Sequence, residues 1–397
     1  MTLVPRSLRG RALAIGLVSC TIASLSVASH AAPAGAVSDR ARQPELAFAG
    51  EATLPAGLDH EGTIVGGLSS ITYDAGRGVY YALSDAQPNP PLSQGPFRFY
   101  TLDIDVADGN LSTGDVTVLD VTLLTDANGL PLAPGTVDPE GLTLTPRDTL
   151  VITSEGFSRA TDPVAPFVRE FSLDGRQLRE YDLPAYGDPQ FPVSGVRLNL
   201  GLESAAFTPN GRWLFTGFEN ALAQDGPAAS LATGSTSRLL RLDGRTGEVE
   251  REYLYRNDPV AEPPVPAGAF TVNGLVELLP MNAQFLLSME RSFSVGAGNT
   301  VRIYRVALPG ADDVSGIQSL DGAGSLRTAD KALVLDLDDL NELPGVQLTL
   351  DNLEGMTLGP RLPDGGRALL VMSDNNFTPG QVSQFLLFSA HGVGPAA

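Results

Sequence analysis

Leu353-Glu354-Gly355-Met356-Thr357-Leu358-Gly359-Pro360, followed by the apolar run 368–374 that ends in Ser373-Asp374, is the stretch whose reading decides the fold. It is a short apolar strand opened by an acidic turn and closed by Gly-Pro, then a second apolar strand ending in Ser plus an acid. Four more copies can be read along the chain. They are Gly67-Leu68-Ser69-Ser70-Ile71 with 79–85, and Pro139-Glu140-Gly141-Leu142-Thr143-Leu144-Thr145-Pro146 with 150–155. Next come Leu202-Glu203-Ser204-Ala205-Ala206-Phe207-Thr208-Pro209 with 213–219, and Asn273-Gly274-Leu275-Val276-Glu277-Leu278-Leu279-Pro280 with 285–290. With positions 69, 140, 203, 273 and 354 taken as equivalent, the steps are 71, 63, 70 and 81 residues. Self-similarity at so long a period marks a repeat architecture.

Each unit continues with further strand candidates: 98–106 and 116–124, 167–173 and 178–183, 238–242 and 249–255, 300–308 and 332–337. Asp108-Gly109, Asp174-Gly175 and Asp243-Gly244 fall between strands, where Asp-Gly signals a hairpin. The fifth unit has a third strand at 382–388 and then the chain ends. Its missing fourth strand is available at the other end of the chain, at 46–54. Four strands per unit, repeated radially and closed by the N-terminal strand, predict an all-β fold: a β-propeller of five four-stranded blades. The alternative is six blades, one of them formed inside 309–331.

Composition agrees with this reading. The 397 residues include 43 Gly and 30 Pro, which suit many turns and few long helices. At 43% apolar and 18% charged, the chain is too apolar to be disordered. The 26 basic and 46 acidic residues give a net charge of −20, and Lys331 is the only lysine. So acidic a surface excludes nucleic acid and anionic lipid as partners, because both require basic patches. The single cysteine, Cys20, rules out an intrachain disulfide framework and a Cys-based zinc site.

The first residues read as a targeting segment. Arg6, Arg9 and Arg11 precede an apolar run over 12–28 with small residues after it, the pattern of a signal peptide over 1–31. A flexible segment at 32–45, one propeller domain at 46–390 and a tail at 391–397 complete the expected organisation. No later segment is apolar enough to span a bilayer as a helix, so a periplasmic or secreted protein is expected. Leu17-Val18-Ser19-Cys20 resembles a lipobox, so the alternative is a lipoprotein tethered through Cys20.

Propeller geometry turns the repeated acids into a constellation. The first strand of a blade lies innermost and the second runs antiparallel to it. The start of one and the end of the other therefore share a face of the disc. Glu140, Glu203 and Glu354 are thus expected near Asp85, Glu155, Glu219, Glu290 and Asp374, with Asp138 as a ninth carboxylate. Arg98, Arg169, Arg238 and Arg302 open the third strand in four units, on the same face. They either clamp the rim as salt bridges or face a ligand. The acids outnumber these arginines, and crowded carboxylates repel unless a cation joins them or their pKa values rise. Hard oxygen donors without Cys or His suit Ca²⁺.

The Leu-Glu-Gly-Met-Thr-Leu and Ser-Glu-Gly-Phe-Ser segments, with 138–146 and 352–360, resemble the bacterial family called phytase-like, or "esterase-like activity of phytase", over about 60–390. The resemblance implies an exported β-propeller that depends on Ca²⁺ and hydrolyses phosphate esters. The acidic motif positions carry over to Glu140, Glu155, Glu203, Glu219, Glu354 and Asp374. The fourth unit departs from the pattern with Asn273-Gly274. On this basis the expected activity is a calcium-dependent phosphoric monoester hydrolase acting on a small-molecule substrate as a monomer, with a metal-activated water attacking the ester. Asp85, Glu155, Glu219, Glu290 and Asp374 are the metal candidates. Glu140, Glu203 and Glu354 are the catalytic candidates, and the four arginines would clamp phosphate oxygens. The alternative is a non-catalytic exported propeller that binds a ligand or partner and uses calcium structurally. No G-x-S-x-G elbow and no R-H-G-x-R-x-P motif is present, and His60 and His391 lie outside the repeated units, so Ser-His-Asp and histidine-phosphatase chemistry are not expected.

Overall fold

Leu369 to Met372 alternate strictly, and this alternation organises the molecule. Leu370 and Met372 pack toward the first repeated unit, and Leu369 and Val371 toward the fourth. A sheet sandwiched between two others buries both faces, so its strands read as unbroken apolar runs instead of alternating ones. The computed structural model describes residues 43–86 and 95–394. The expected signal peptide, Cys20 and most of the 32–45 segment lie outside them.

Five four-stranded antiparallel sheets form the blades. Blade 1 comprises Leu68–Asp74, Val79–Ser84, Arg98–Ile104 and Val116–Leu123. Blade 2 comprises Pro139–Leu144, Thr149–Ser154, Phe167–Ser172 and Gln177–Glu180. Blade 3 comprises Ala206–Phe207, Trp213–Gly217, Thr236–Asp243 and Val249–Arg256. Blade 4 comprises Thr271–Pro280, Phe285–Ser294, Gly298–Ala307 and Asp330–Asp336. Blade 5 takes Asn352–Arg361, Arg367–Asp374 and Ser383–His391 from the C-terminal end and Glu45–Leu54 from the N-terminal end. The expected closure is therefore present, with Glu45 paired to His391 and Leu54 to Ser383. The last strand extends to His391, which was expected in a tail. No strand forms within 309–329 among the described residues, so that region makes no sixth blade. A two-stranded hairpin, Asp59–His60 with Thr63–Ile64, precedes blade 1.

The core is divided into five apolar clusters, one between each pair of neighbouring blades. Tyr81 and Phe99 meet Ile152 and Phe171 between blades 1 and 2, for example, and Phe385 meets Tyr80 between blades 5 and 1. A complete ring of such clusters leaves no sheet face open.

Every innermost strand carries a bulge near its start. Leu68 and Ser70 face successive residues Ser84 and Leu83, which leaves Ser69 extra. The same shift occurs between Pro139 and Leu142, Leu275 and Glu277, and Leu353 and Gly355. In blade 3 it falls between Leu202, bridged to Phe218, and Ala206, paired with Phe215. A bulge bends the strand and re-aims its extra side chain. Ser69, Glu140, Glu203, Val276 and Glu354 thus occupy matching positions. The fourth position differs from the expected Asn273.

One residue past the bulge, Glu277 ties blades together. Ser70 Oγ donates to Glu277 Oε2 at 3.1 Å and accepts from the Leu142 amide at 3.0 Å, joining blades 4, 1 and 2. The Leu278 amide donates to Glu277 Oε1 at 2.8 Å. Burial pushes the Glu277 carboxyl up to about 8, so it is mostly protonated at neutral pH. Ser70→Ala leaves two buried groups short of a partner. It should lower stability by about 1–3 kcal/mol, read as a reduced Tm in thermal unfolding.

Candidate active site

The starts of the innermost strands and the ends of the second strands line one cavity of about 1240 Å³. The far ends of the innermost strands line a smaller one of about 510 Å³. The large cavity gathers seven of the eight expected acids: Asp85, Glu140, Glu155, Glu203, Glu219, Glu354 and Asp374. Asp138 is there as well, and so is Asp351, which the sequence reading missed.

Local backbone pairing explains the convergence. The amides of Asp85, Glu155 and Glu219 bond the carbonyls of Gly67, Asp138 and Gly201, and Asp374 lies opposite Asn352. Each second strand therefore delivers its terminal acid at the mouth of the channel. Gly201 and Gly274 make room for the acid of the preceding blade. A Cβ on Gly201 would lie 2.2 Å from the Glu155 carbonyl oxygen, and one on Gly274 would lie 2.4 Å from Glu219 Oε1.

Blade 4 breaks the ring. Its second strand continues past Glu290 to Ser294, and the residue opposite Gly274 is Arg291. Glu290 points elsewhere. It accepts from Tyr255 Oη at 2.7 Å, the Asp258 amide at 2.9 Å and Asn273 Nδ2 at 3.1 Å, and it pairs with Lys331. Arg291 is the one cationic side chain among the described residues lining the cavity. Its Nη2 donates to Glu354 Oε1 at 2.8 Å, and Asn352 Nδ2 reaches the same oxygen at 2.9 Å.

The four arginines at the third strands do not line the cavity, because that strand lies farther from the axis. Arg98 is fully buried and donates to Tyr100 Oη and to the carbonyls of Pro96 and Ile64. Arg238, equally buried, pairs with Asp225 at 2.7 Å and reaches the Ile317 carbonyl. Arg169 pairs with Glu180 and Arg302 with Asp336. The hydrogen bonds of these arginines thus go to strand ends, backbone carbonyls and loop acids, while Arg98 still acts through its charge on Asp85, opposing the rise of that carboxyl.

The cavity acids share one electrostatic condition. Burial pushes Glu140 well above its usual range, and Glu203, Asp138 and Glu155 add to the rise. Glu155, Glu203 and Asp85 are raised in the same way, by burial first and neighbouring carboxylates second. Glu219 is pushed up to about 7 and Asp374 to about 8, again chiefly by burial. Glu354 is raised by burial, which Arg291 and Asn352 oppose. For Arg291 burial works against the charge, but Glu354, Glu219 and Glu203 outweigh it and hold the guanidinium charged.

The donor set fits a hard divalent cation. One carboxylate oxygen from each of Asp138, Glu140 and Glu155 lies within 4.8 Å of the others. Glu219, 3% exposed, has its Oε1 buried without a hydrogen-bond partner. An unpaired buried carboxylate oxygen is costly, and a cation would relieve it. Oxygen donors of this kind suit Ca²⁺ or Mg²⁺.

A stability prediction follows from these shifts. In the metal-free protein Glu219 and Asp374 bind more protons folded than unfolded between their ordinary values of 4.5 and 3.8 and the folded values of about 7 and about 8. Stability is therefore greatest below that window and falls as pH rises through it. The Tm of chelator-treated protein should drop between pH 5 and 8, and saturating Ca²⁺ should flatten the slope.

A secreted protein of uncharacterised role from Arthroderma benhamiae is 24% identical over 251 residues. The match spans 49% of this chain and 49% of that protein, so the chain matches about half the length of that relative. Among solved structures, a member of the duf4221 family from Bacteroides vulgatus is similar at TM-score 0.36 and 10% identity, covering 89% of this chain and 99% of its own. A Thermus thermophilus putative oxidoreductase (glucose dehydrogenase) reaches TM-score 0.34 and 17% identity, covering 86% and 96%. No helix among the described residues is long and apolar enough to cross a membrane. The sequence model of "Phytase-like: Esterase-like activity of phytase" matches residues 63–377, most of the chain, and the protein therefore belongs to the phytase-like family.

Proposed function

We propose that the acidic cavity is the centre of an exported, calcium-dependent hydrolase of phosphate monoesters. The observation that carries this reading is the convergence of Asp138, Glu140 and Glu155 within 4.8 Å, in a cavity whose one described cation is Arg291. Family membership supports the phosphatase-like role. The N-terminal basic-then-apolar pattern and the secreted relative support export.

Asp138, Glu140 and Glu155 would hold the cation. Bound there, Ca²⁺ would supply charge neutralisation for phosphate oxygens and would acidify a water molecule. Arg291, oriented by Glu354, binds a phosphate oxygen through its guanidinium. Glu203 and Glu219 are close charge neighbours, so one proton between them is favoured over two charges or none. As the water oxygen bonds to phosphorus and the P–O ester bond breaks, the ionised member of the pair takes the proton from water and the protonated member gives its proton to the leaving oxygen, so the product is an alcohol and inorganic phosphate. Asp85 and Asp374 line the same cavity and would supply further oxygen donors.

The test is phosphate release from p-nitrophenyl phosphate by the purified protein, in millimolar Ca²⁺ and after chelation. Release that requires Ca²⁺ and falls sharply in Glu203→Gln supports the reading. No release from a folded, calcium-saturated protein overturns it in favour of a non-catalytic binding propeller.

A further inference from the structure

The small cavity at the far ends of the innermost strands takes no part in hydrolysis. Its volume of about 510 Å³ is that of a small-molecule site. Half-buried apolar side chains wall it: Tyr73, Leu144, Phe207, Leu279 and Leu358. One acid, Glu277, and one cation, Arg367, line it among the described residues. Glu277 is committed to Ser70 and the Leu278 amide, and burial keeps it mostly protonated at neutral pH. The charge that a ligand meets here is therefore that of Arg367.

Arg367 lacks an anion. Its Nε and Nη2 both donate to the Gly359 carbonyl, at 2.9 and 2.7 Å. Arg361 lies directly opposite it on the neighbouring strand and donates to the Gly365 carbonyl at 3.2 Å. Side chains so placed share a face of the sheet, and like charges there repel. Neither guanidinium forms an ion pair among the described residues. Burial, and then the charge of Arg361, lowers the Arg367 guanidinium below its ordinary range. Burial also disfavours Arg238, Arg291 and Arg302, but these are raised instead because carboxylates face them. A half-buried charge held by one carbonyl is poorly compensated. The free edge of Arg367, Nη1 with the second Nη2 hydrogen, bonds no described residue. Two parallel N–H groups of that kind match the two oxygens of a carboxylate.

We propose that the far cavity is a second ligand site, which binds a small carboxylate with an apolar body: the carboxylate pairs with Arg367 beside Arg361, and the body lies against Tyr73, Phe207 and Leu358. The ligand supplies the negative charge that the arginine pair lacks. It touches blades 1, 3 and 5 at once, so its binding stabilises the closed ring.

The test is calorimetric titration of the protein with 1-naphthoate in the presence of chelator, with neutral 1-naphthamide as the comparison. Naphthoate should bind one to one and at least about tenfold tighter than the amide. Arg367→Gln should weaken naphthoate about tenfold and leave naphthamide unchanged. Glutamine at 367 can still donate to the Gly359 carbonyl. Should that variant fail to melt cooperatively, Arg361→Gln, at an exposed position, serves in its place and should weaken naphthoate severalfold. Saturating naphthoate should raise the Tm of the parent and leave that of Arg367→Gln where it was. No binding at millimolar naphthoate, or equal affinity for naphthoate and naphthamide, would overturn the inference. So would a loss of binding caused by Arg291→Gln and not by the Arg367 or Arg361 variant, since that places naphthoate in the acidic cavity.

Discussion

Glu140→Gln combined with Glu155→Gln should abolish calcium-dependent phosphate release and weaken Ca²⁺ binding by at least about a hundredfold. The two changes remove two of the three carboxylates whose oxygens lie within 4.8 Å of one another. The fold should survive. Glu155 Oε2 accepts from the Gly201 amide at 2.8 Å, a bond that a glutamine oxygen can keep. Burial and mutual repulsion raise both carboxyls, so neutral side chains remove an unfavourable charge. The metal-free double variant should therefore melt at or above the parent at pH 8. A structural role for these acids makes the opposite forecast: lower Tm with turnover intact. Calorimetric Ca²⁺ titration, phosphate release and thermal unfolding of the one variant separate the two.

The second large effect concerns closure. A chain that begins at Pro55 lacks Glu45–Leu54 and should fail to fold cooperatively. That strand pairs along the full length of Ser383–His391, which is buried at every position but the last. It also places Ala52 and Leu54 in the cluster between blades 5 and 1, and Phe48 against Phe388 at 5.8 Å. Without it, a long apolar strand becomes an open edge that pairs with other chains. Near-UV circular dichroism should lose its folded signature, and limited proteolysis should cut within blade 5. A cooperative melt within a few degrees of the parent would show that the ring does not depend on this closure.

How far the sequence carried the reading depended on the kind of feature. The strands were legible because a blade packed on both faces leaves apolar runs such as Leu369 to Met372 and Phe385 to Phe388. The N-terminal closure was legible because blade 5 lacked a strand and 46–54 had no other partner. The acids were legible in four blades because a small residue or strand end precedes each of Asp85, Glu155, Glu219 and Asp374. Blade 4 misled the reading because Met289-Glu290 imitates that signature one residue too early. What places Arg291 in the ring is the length of the strand beyond Glu290 and the position of the bulge at Val276, and neither has a residue-type signature. Gly274 was the available clue, since it corresponds to Gly67 and Gly201 and sits opposite Arg291. The arginines were legible as members of the third strands, but only Arg98 opens one, Arg302 is the fifth residue of its strand, and their radial distance from the axis was not legible. Arg98 and Arg238 accordingly serve the Ile64 carbonyl and Asp225, outside the cavity lining.

The most direct test of the central claim is a crystal structure of the protein grown with Ca²⁺ and soaked with 1-naphthylphosphonate, with calcium located by its anomalous signal. A calcium peak is expected between Asp138, Glu140 and Glu155, with the phosphonate oxygens between that ion and Arg291. A cavity that stays free of both ion and phosphonate, or calcium found only on the outer loops, would contradict it.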